Sequence, residues 1–527
     1  MNMNVGFPTL GELIQFTYDT AGVLPRKRGL EDELDEKEKK SLQKALSRLA
    51  KEEGNINENF GDLIKKLAFI VAGYVSDPRA NFAIGESLMD LLDVYQAILK
   101  DDGTYLDKAG TIKWLINEFI IGRLALSIKK HTLRFNIAAR NFSTPGKFWF
   151  LPTIENGKVT YPLEKAMVWI YEKCDRTQKQ FHCPDDFNST KYVQQEQNLE
   201  NAQNWIKNNG LPSLPALIWN FNYSIDRIND TSNSNTNPCI DNHLRENICL
   251  ILFIARASTF VFRELLSNFE LSFVGEICEK FKIQSNDISD DFLEFETSIK
   301  NELTGRPYLQ SYLDEIWLNE TSHFLASYAN IQTHLTKSLE AISYEDQCKI
   351  FQNPIEVQNL VQRFGKFSIK SIAAQLNSPS SNEIPENFPK LLLNGLDLKN
   401  NNNTSQDDIA LYEVNLKQSN LELVLPWMLP WIKGAYHYRR EEYQLAFPFF
   451  KEAFNSAKYC AGKNQYKLVN QFVEVAAKNN KRLEFNKGIR WAQYLGIEIR
   501  WLRKDEPTDE KLDFVFAIMQ KANYHSL

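Results

Sequence analysis

The 527-residue sequence has few glycines, and it lacks the local patterns that most nucleotide-binding and hydrolytic sites need. Its 22 glycines form neither Gly-x-x-x-x-Gly-Lys-Ser/Thr nor Gly-x-Gly-x-x-Gly, the two common phosphate-binding turns. The patterns Gly-x-Ser-x-Gly and His-Glu-x-x-His are also absent. These absences exclude the commonest local signatures of nucleotide-binding proteins, serine hydrolases and zinc peptidases. No cofactor is predicted, and the sequence favours a protein that is not an enzyme.

Cysteine and long apolar runs are also scarce. The seven cysteines are scattered and odd in number, which is typical of reduced thiols in a cytosol. Cys174 and Cys183 lie near His182, but zinc sites usually have two ligand pairs and no second pair follows, so no metal site is predicted. The most apolar segment, 248–262, is interrupted by Arg256 and is shorter than the ~20 residues of a spanning helix. Because the N-terminus also lacks a signal-peptide pattern, we expect a cytoplasmic protein with no membrane contact.

The charge is nearly balanced. Lys and Arg total 61 against 67 for Asp and Glu, which gives a formal net charge of -6. No global positive field therefore draws the chain to nucleic acid or to anionic lipid, although a local basic patch could still do so. Hydrophobic residues make up 43% and aromatic residues 12%, a composition typical of folded domains.

Helical periodicity and two polar segments predict a mainly α-helical, multidomain protein. Segments 229–242 and 378–408 are rich in turn-forming residues that cannot bury a core. They divide the chain into an N-terminal helical domain (1–228), a central helical domain (243–377), a linker (378–408) and a C-terminal helical block (409–527). An Asn156-Gly157 pair between two β-prone runs predicts one small hairpin near residues 147–161.

The most informative segment runs from Trp431 to Phe454 and spaces small and aromatic residues as a repeated helical hairpin does. The positions that carry this pattern are Gly434, Tyr443, Ala446, Phe450 and Ala453. Small residues let two helices approach closely, and aromatic residues fill the groove to the next hairpin. This segment resembles a tetratricopeptide repeat, and a degenerate neighbour extends the resemblance over about residues 427–500. Any αα-hairpin with small residues at its contact would share this spacing, so both interpretations stay open.

The resemblance implies that the C-terminal block binds a protein or peptide. At three positions the sequence departs from the family's pattern, with His437 at the first-helix aromatic, Glu441 at the turn glycine and Pro448 early in the second helix. If the array forms, its concave face would carry exposed polar and aromatic residues. The candidate partner-binding residues are His437, Tyr438, Arg439, Arg440 and Asn470. The predicted function is an intracellular protein-binding scaffold or regulatory subunit.

Two alternative functions follow from other motifs. Arg176 and His182 fit the Arg-x(4–6)-His pattern, and they resemble the catalytic pair of HEPN-type ribonucleases of microbial defence or toxin systems. In that hypothesis His182 is the general acid or base, and Arg176 stabilises the phosphate. Residues 9–23 resemble the first helix of a phage-repressor type helix-turn-helix. With the basic run 25–28, that helix would make the chain a DNA-associated transcriptional regulator.

Overall fold

The computed structural model describes the chain in several segments. They cover residues 6–23, 36–75, 77–101, 103, 106–138, 143–184, 192–231, 240–304, 387–502 and 508–521, with isolated positions between 319 and 358. Within these segments the chain forms nineteen α-helices and one two-stranded hairpin. The prediction of a mainly α-helical protein with one small hairpin is therefore confirmed.

Twelve of the described α-helices precede residue 305. They are α1 (Leu10–Ala21), α2 (Glu36–Ala50), α3 (Ile56–Tyr74), α4 (Pro78–Asp101), α5 (Lys108–Leu115), α6 (Ile121–Ala138), α7 (Pro162–Lys173), α8 (Gln178–His182), α9 (Tyr192–Ile206), α10 (Leu214–Thr231), α11 (Asn242–Asn268) and α12 (Leu271–Thr304). A π-helical turn, Ile116–Ile120, joins α5 to α6. Helix α1 begins at a capping box, in which the Thr9 hydroxyl accepts from the Glu12 amide and the Glu12 carboxylate accepts from the Thr9 amide.

The predicted hairpin is formed by β1 (Thr153–Glu155) and β2 (Lys158–Thr160). The strands are antiparallel, with Ile154 opposite Val159. Asn156 and Gly157 form the turn with φ values of 50° and 77°, the left-handed conformation that a tight two-residue turn requires. The Asn-Gly signal therefore located this element correctly.

The most apolar segment lies within α11, and its central residues are buried. The side chain of Arg256 interrupts this apolar surface, and its guanidinium donates to the carbonyls of Asp19, Thr20 and Pro212. These bonds join α11 to the C-terminal end of α1. In the described part of the chain, no helix is both long enough and apolar enough to cross a membrane.

Seven of the described α-helices follow residue 386. They are α13 (Phe388–Asn400), α14 (Gln406–Gln418), α15 (Met428–Arg439), α16 (Tyr443–Ala457), α17 (Gln465–Lys478), α18 (Arg482–Leu495) and α19 (Asp509–Lys521). Each consecutive pair of helices from α13 to α18 is in contact. Alternate helices are also in contact, since α15 packs on α13 and α19 packs on α17. Hydrogen bonds from Trp431 to Gln471 and from Tyr438 to Glu474 join α15 to α17. The helices therefore form stacked hairpins, with α13, α15, α17 and α19 in one row.

Buried apolar residues of the N-terminal helices and of this C-terminal block belong to one continuous cluster. A second cluster lies between α6, α11 and α12. Helix α13 occupies part of the predicted linker 378–408, and most of the predicted central domain after residue 304 lies outside the described residues. The division into domains stays a prediction.

Candidate binding site in the C-terminal block

The two turns that join α15 to α16 and α17 to α18 have the same backbone geometry. Glu441 and Asn480 occupy equivalent positions with φ values of 59° and 55°. In each turn the backbone amide of the next residue donates to a carbonyl in the last turn of the preceding helix. The Glu442 amide donates to the His437 carbonyl (3.0 Å), and the Lys481 amide donates to the Ala476 carbonyl (2.8 Å). This is the hydrogen bond of a Schellman motif, in which glycine usually takes the left-handed position. The departure at Glu441 therefore keeps the turn but places a side chain where glycine is preferred.

His437 lies at the C-terminal end of α15. Its Nδ1 atom is 2.6 Å from the Glu442 carboxylate, and its ring is stacked on Phe449 at a centroid distance of 5.7 Å. His437 is partly exposed, so it can contact a partner while the turn holds its orientation.

Arg440 and Asn470 also lie at the edge of the block. The Arg440 guanidinium is stacked over Tyr436 at 3.5 Å and donates to the Tyr436 carbonyl, yet the residue is exposed. Asn470 donates its amide to the carbonyls of Tyr466 and Glu498. Both side chains are therefore held in place by local contacts, and Arg440 presents a fixed positive charge to solvent.

Tyr438, in contrast, faces the core and is only 1% exposed. Its hydroxyl donates to the Glu474 carboxylate at 2.5 Å, and its ring packs edge-on against Tyr443 and Phe450. In this conformation it cannot touch a partner. Its contribution is to the packing of α15 on α17.

Arg439 caps the end of α13. Its guanidinium donates to the carbonyls of Lys399 (2.5 Å) and Leu398 (3.3 Å), which have no helical partner at a C-terminus. The Arg439 Nε atom is buried without a hydrogen-bond partner among the described residues. Burial, and then the charge of Arg440, lowers the pKa of Arg439.

Lys399 is a site residue that the sequence did not indicate. Its side chain is fully buried, with Nζ 4.6 Å from the centre of the Trp431 ring and 3.1 Å from the Asn400 amide oxygen. Burial, followed by the charges of Lys467 and Arg439, lowers the pKa of Lys399 to about 8. An ammonium that is fully buried against an aromatic face is an unusual interior group.

Gln471 completes this cluster on α17. Its side-chain oxygen accepts from the Trp431 indole at 2.6 Å, while its Nε2 atom is buried without a partner in the described structure. We name the set Lys399, Arg439, Lys467 and Gln471 the basic cluster. It contains cations and hydrogen-bond donors from α13, α15 and α17.

The candidate ribonuclease pair does not form an accessible site. His182 is 0% exposed, and its two ring nitrogens are each 2.9 Å from a hydroxyl, that of Tyr171 and that of Ser224. Burial lowers the pKa of His182 to about 3, so the imidazole is neutral at physiological pH. Arg176 lies in the turn before α8 and is partly exposed. The histidine is therefore a hydrogen-bonded core residue that no RNA phosphate can reach in this conformation.

Helix α1 is also part of the core. Its buried face comprises Leu10, Ile14, Tyr18 and Ala21, and the Tyr18 hydroxyl donates to the Leu63 carbonyl of α3. The basic run 25–28 lies outside the described residues. No described contact of α1 therefore indicates a DNA-binding role.

Comparisons with known proteins give no relative for this chain. No family model, no curated protein and no solved structure matches it. Within the described segments, no three His, Cys, Asp or Glu side chains lie close enough together to hold a metal ion. The C-terminal block is therefore the feature on which a function can be argued.

Proposed function

We propose that this chain is a cytoplasmic protein-binding scaffold or regulatory subunit, and that the C-terminal block 409–527 binds the partner as a degenerate tetratricopeptide-like array. The observation that carries the proposal is the alternate packing of α13, α15, α17 and α19. Stacked hairpins of this kind present an extended surface, because each hairpin contacts only its neighbours and leaves one edge open. Binding on such a surface needs no catalytic group.

The edge formed by the two Schellman turns is the proposed contact surface. Arg440 and Lys481 are exposed there, and the first turns of α16 and α18 expose Leu445 (55%) and Leu483 (80%). The same edge also exposes Glu441 and Glu442, so it combines apolar side chains with charges of both signs. Such an edge complements an amphipathic partner segment that places acidic groups opposite Arg440 and Lys481. We therefore propose an amphipathic protein segment with acidic residues as the ligand.

The experiment compares partner capture by the full chain and by two charge-reversed variants. Arg440→Glu/Lys481→Glu changes the contact surface, and Lys65→Glu/Lys66→Glu makes the same change in net charge on the exposed face of α3. We expect the first variant to lose a partner that the second retains. Cross-links from that partner to the wild-type chain are expected at Lys478 and Lys481.

Two results would reject this proposal. One is retention of every captured protein by Arg440→Glu/Lys481→Glu. The other is cross-links that map to the α3 surface instead of the turn edge. Circular dichroism of both variants controls for folding, since all four positions lie at the surface or at a turn.

A further inference from the structure

A cleft of about 410 Å³ is bordered by α7 and by segment 145–149, which precedes the hairpin. This volume lies within the range of roughly 300–1,000 Å³ that is typical of small-molecule pockets. Each of the two elements contributes an indole ring to the cleft, Trp149 from the segment and Trp169 from the helix. Aromatic walls of this kind bury the apolar part of a ligand.

Contacts within the protein fix the shape of this cleft. Phe148 has a φ of 58°, which is unusual for a bulky residue, and its ring packs edge-on against Phe150 and Phe281. The Lys165 ammonium on α7 donates to the Leu151 carbonyl at 2.9 Å, which joins the two walls. Strained backbone persists only where the surrounding structure holds it, and it is concentrated at functional sites. The cleft is therefore formed before any ligand binds.

Charged groups of both signs border the cleft in equal number. They are the carboxylates of Glu164 and Glu172 and the ammonium groups of Lys147 and Lys165. In the described part of the chain, neither glutamate side chain forms a hydrogen bond or an ion pair. Lys147 donates to the Asn286 side-chain oxygen at 2.8 Å, and an ammonium with three donors can make further bonds. The balanced charges therefore favour a ligand that carries both signs.

Two of these charges lie side by side in the first turn of α7. Glu164 and Lys165 are half-buried neighbours, and adjacent residues on a helix do not face each other as a pair. Burial raises the pKa of Glu164 against the charges of Lys158 and Lys165, and burial also lowers the pKa of Lys165. Both charged forms are therefore poorly solvated and would be stabilised by an opposite charge on a ligand. Val168 and Trp169 border the cleft one turn further along the helix.

We propose that this cleft binds a free amino acid with a large apolar side chain. Glu164 would accept from the ligand ammonium, and Lys165 would donate to the ligand carboxylate. The ligand side chain would pack between Trp149 and Trp169. A simple cation would be repelled by the two lysines, and a simple anion by the two glutamates. The cleft lies outside the C-terminal block, so this inference does not rest on the proposed partner surface.

Calorimetric titration of the full chain with L-phenylalanine tests this assignment. Three related compounds each lack one part of the ligand: L-phenylalaninamide lacks the carboxylate, N-acetyl-L-phenylalanine lacks the ammonium, and glycine lacks the side chain. We expect saturable binding of L-phenylalanine at one site. The affinity should be at least about tenfold weaker for either analogue, because each loses a charge-assisted contact, and glycine should show no saturable binding.

Variants locate the binding in the cleft. Glu164→Gln should weaken the binding of L-phenylalanine by about tenfold but should not weaken that of N-acetyl-L-phenylalanine, which has no ammonium. Glu200→Gln makes the same change in charge at an exposed position on α9 and should bind as the wild type does. Val168→Arg places a long side chain in the cleft from an exposed position and should abolish binding. This second variant keeps the test decisive if Glu164→Gln does not fold, and circular dichroism checks the folding of both.

Three results would overturn the inference. The first is the absence of saturable binding of L-phenylalanine. The second is an equal affinity of the wild type, Glu164→Gln and Val168→Arg for L-phenylalanine. The third is tighter binding of L-phenylalaninamide or of N-acetyl-L-phenylalanine than of L-phenylalanine, which would indicate a site for a cation or for an anion. None of these results depends on the capture of a protein partner.

Discussion

Breaking the ion pair between Glu52 and Lys458 is expected to destabilise the contact between the N-terminal helices and the C-terminal block. The Lys458 ammonium is almost fully buried and bonds to the Glu52 carboxylate, and the Tyr459 hydroxyl donates to the other carboxylate oxygen at 2.8 Å. Glu52→Gln would leave a buried cation without its counter-charge. Loss of one partner from a buried pair costs about 3–5 kcal/mol, which is a large part of the stability of a typical domain.

A double-mutant cycle separates the ion pair from packing. Lys458→Met removes the charge but keeps an apolar chain of similar length, so Lys458→Met/Glu52→Gln should cost far less than Glu52→Gln alone. We expect a coupling free energy of about 2–3 kcal/mol from urea unfolding followed by tryptophan fluorescence and circular dichroism. A loss below about 0.5 kcal/mol for Glu52→Gln would refute the reasoning, because that is the range of an exposed pair.

The same pair predicts a pH dependence with a defined sign. Burial lowers the pKa of Lys458 to about 8 despite the opposing charge of Glu52. Between about pH 8 and the ordinary lysine value near 10.4, the unfolded chain binds more protons than the folded chain, so the free energy of unfolding should rise with pH. Lys458→Met should remove part of this rise, because Lys399, whose pKa is also lowered to about 8, titrates in the same range. Measurements stop below pH 10, because Tyr459, whose pKa is raised by burial, begins to ionise in the unfolded chain there.

Three further changes test individual packing and turn interactions, each by thermal or urea unfolding. Gly488→Ala should cost about 1–3 kcal/mol, because its new Cβ would lie 2.6 Å from Val473 Cγ2, whereas Gly275→Ala meets open space and should stabilise by about 0.5–1 kcal/mol. Equal changes in the free energy of unfolding for the two variants would contradict the close approach of α17 and α18. Glu441→Gly should stabilise by about 1 kcal/mol, because glycine adopts positive φ without strain, and any loss of stability contradicts the turn geometry. His182→Ala should cost about 2–4 kcal/mol through its lost packing and its lost hydrogen bonds to the Tyr171 and Ser224 hydroxyls, and a neutral result would mean that the ring is not buried.

Local sequence signals predicted the elements whose geometry is set by neighbouring residues. Asn156-Gly157 fixed the hairpin, because the turn needs two residues that tolerate positive φ. Segment 9–23 was predicted to contain a helix, and the structure shows that the capping box of Thr9 and Glu12 sets where this helix begins. In both cases the contacts that define the element lie within a few residues, so no knowledge of the tertiary fold was needed.

Helical spacing also predicts which residues of α15 are buried, and the choice of candidate site residues did not use this information. Trp431, Gly434, Ala435 and Tyr438 recur at the intervals of one helix face, and all four are buried. Tyr438 was predicted to line a binding surface because it is polar and aromatic, but its place on this face determines its burial. The neighbouring His437 and Arg440 fall outside the face and remain accessible.

The basic cluster could not be predicted from the sequence, because its members are brought together only by the stacking of alternate helices. Lys399 lies 40 residues before Arg439 and 68 before Lys467 in a segment whose asparagines predicted a linker. The helix nevertheless forms there because Phe388, Leu391 and Gly395 recur at helical intervals and are buried. Continuing that interval places Lys399 on the same buried face. A lysine at the next position of an apolar helical repeat is therefore expected to point into the core. The groups that surround its ammonium come from other helices, so only the three-dimensional structure identifies them.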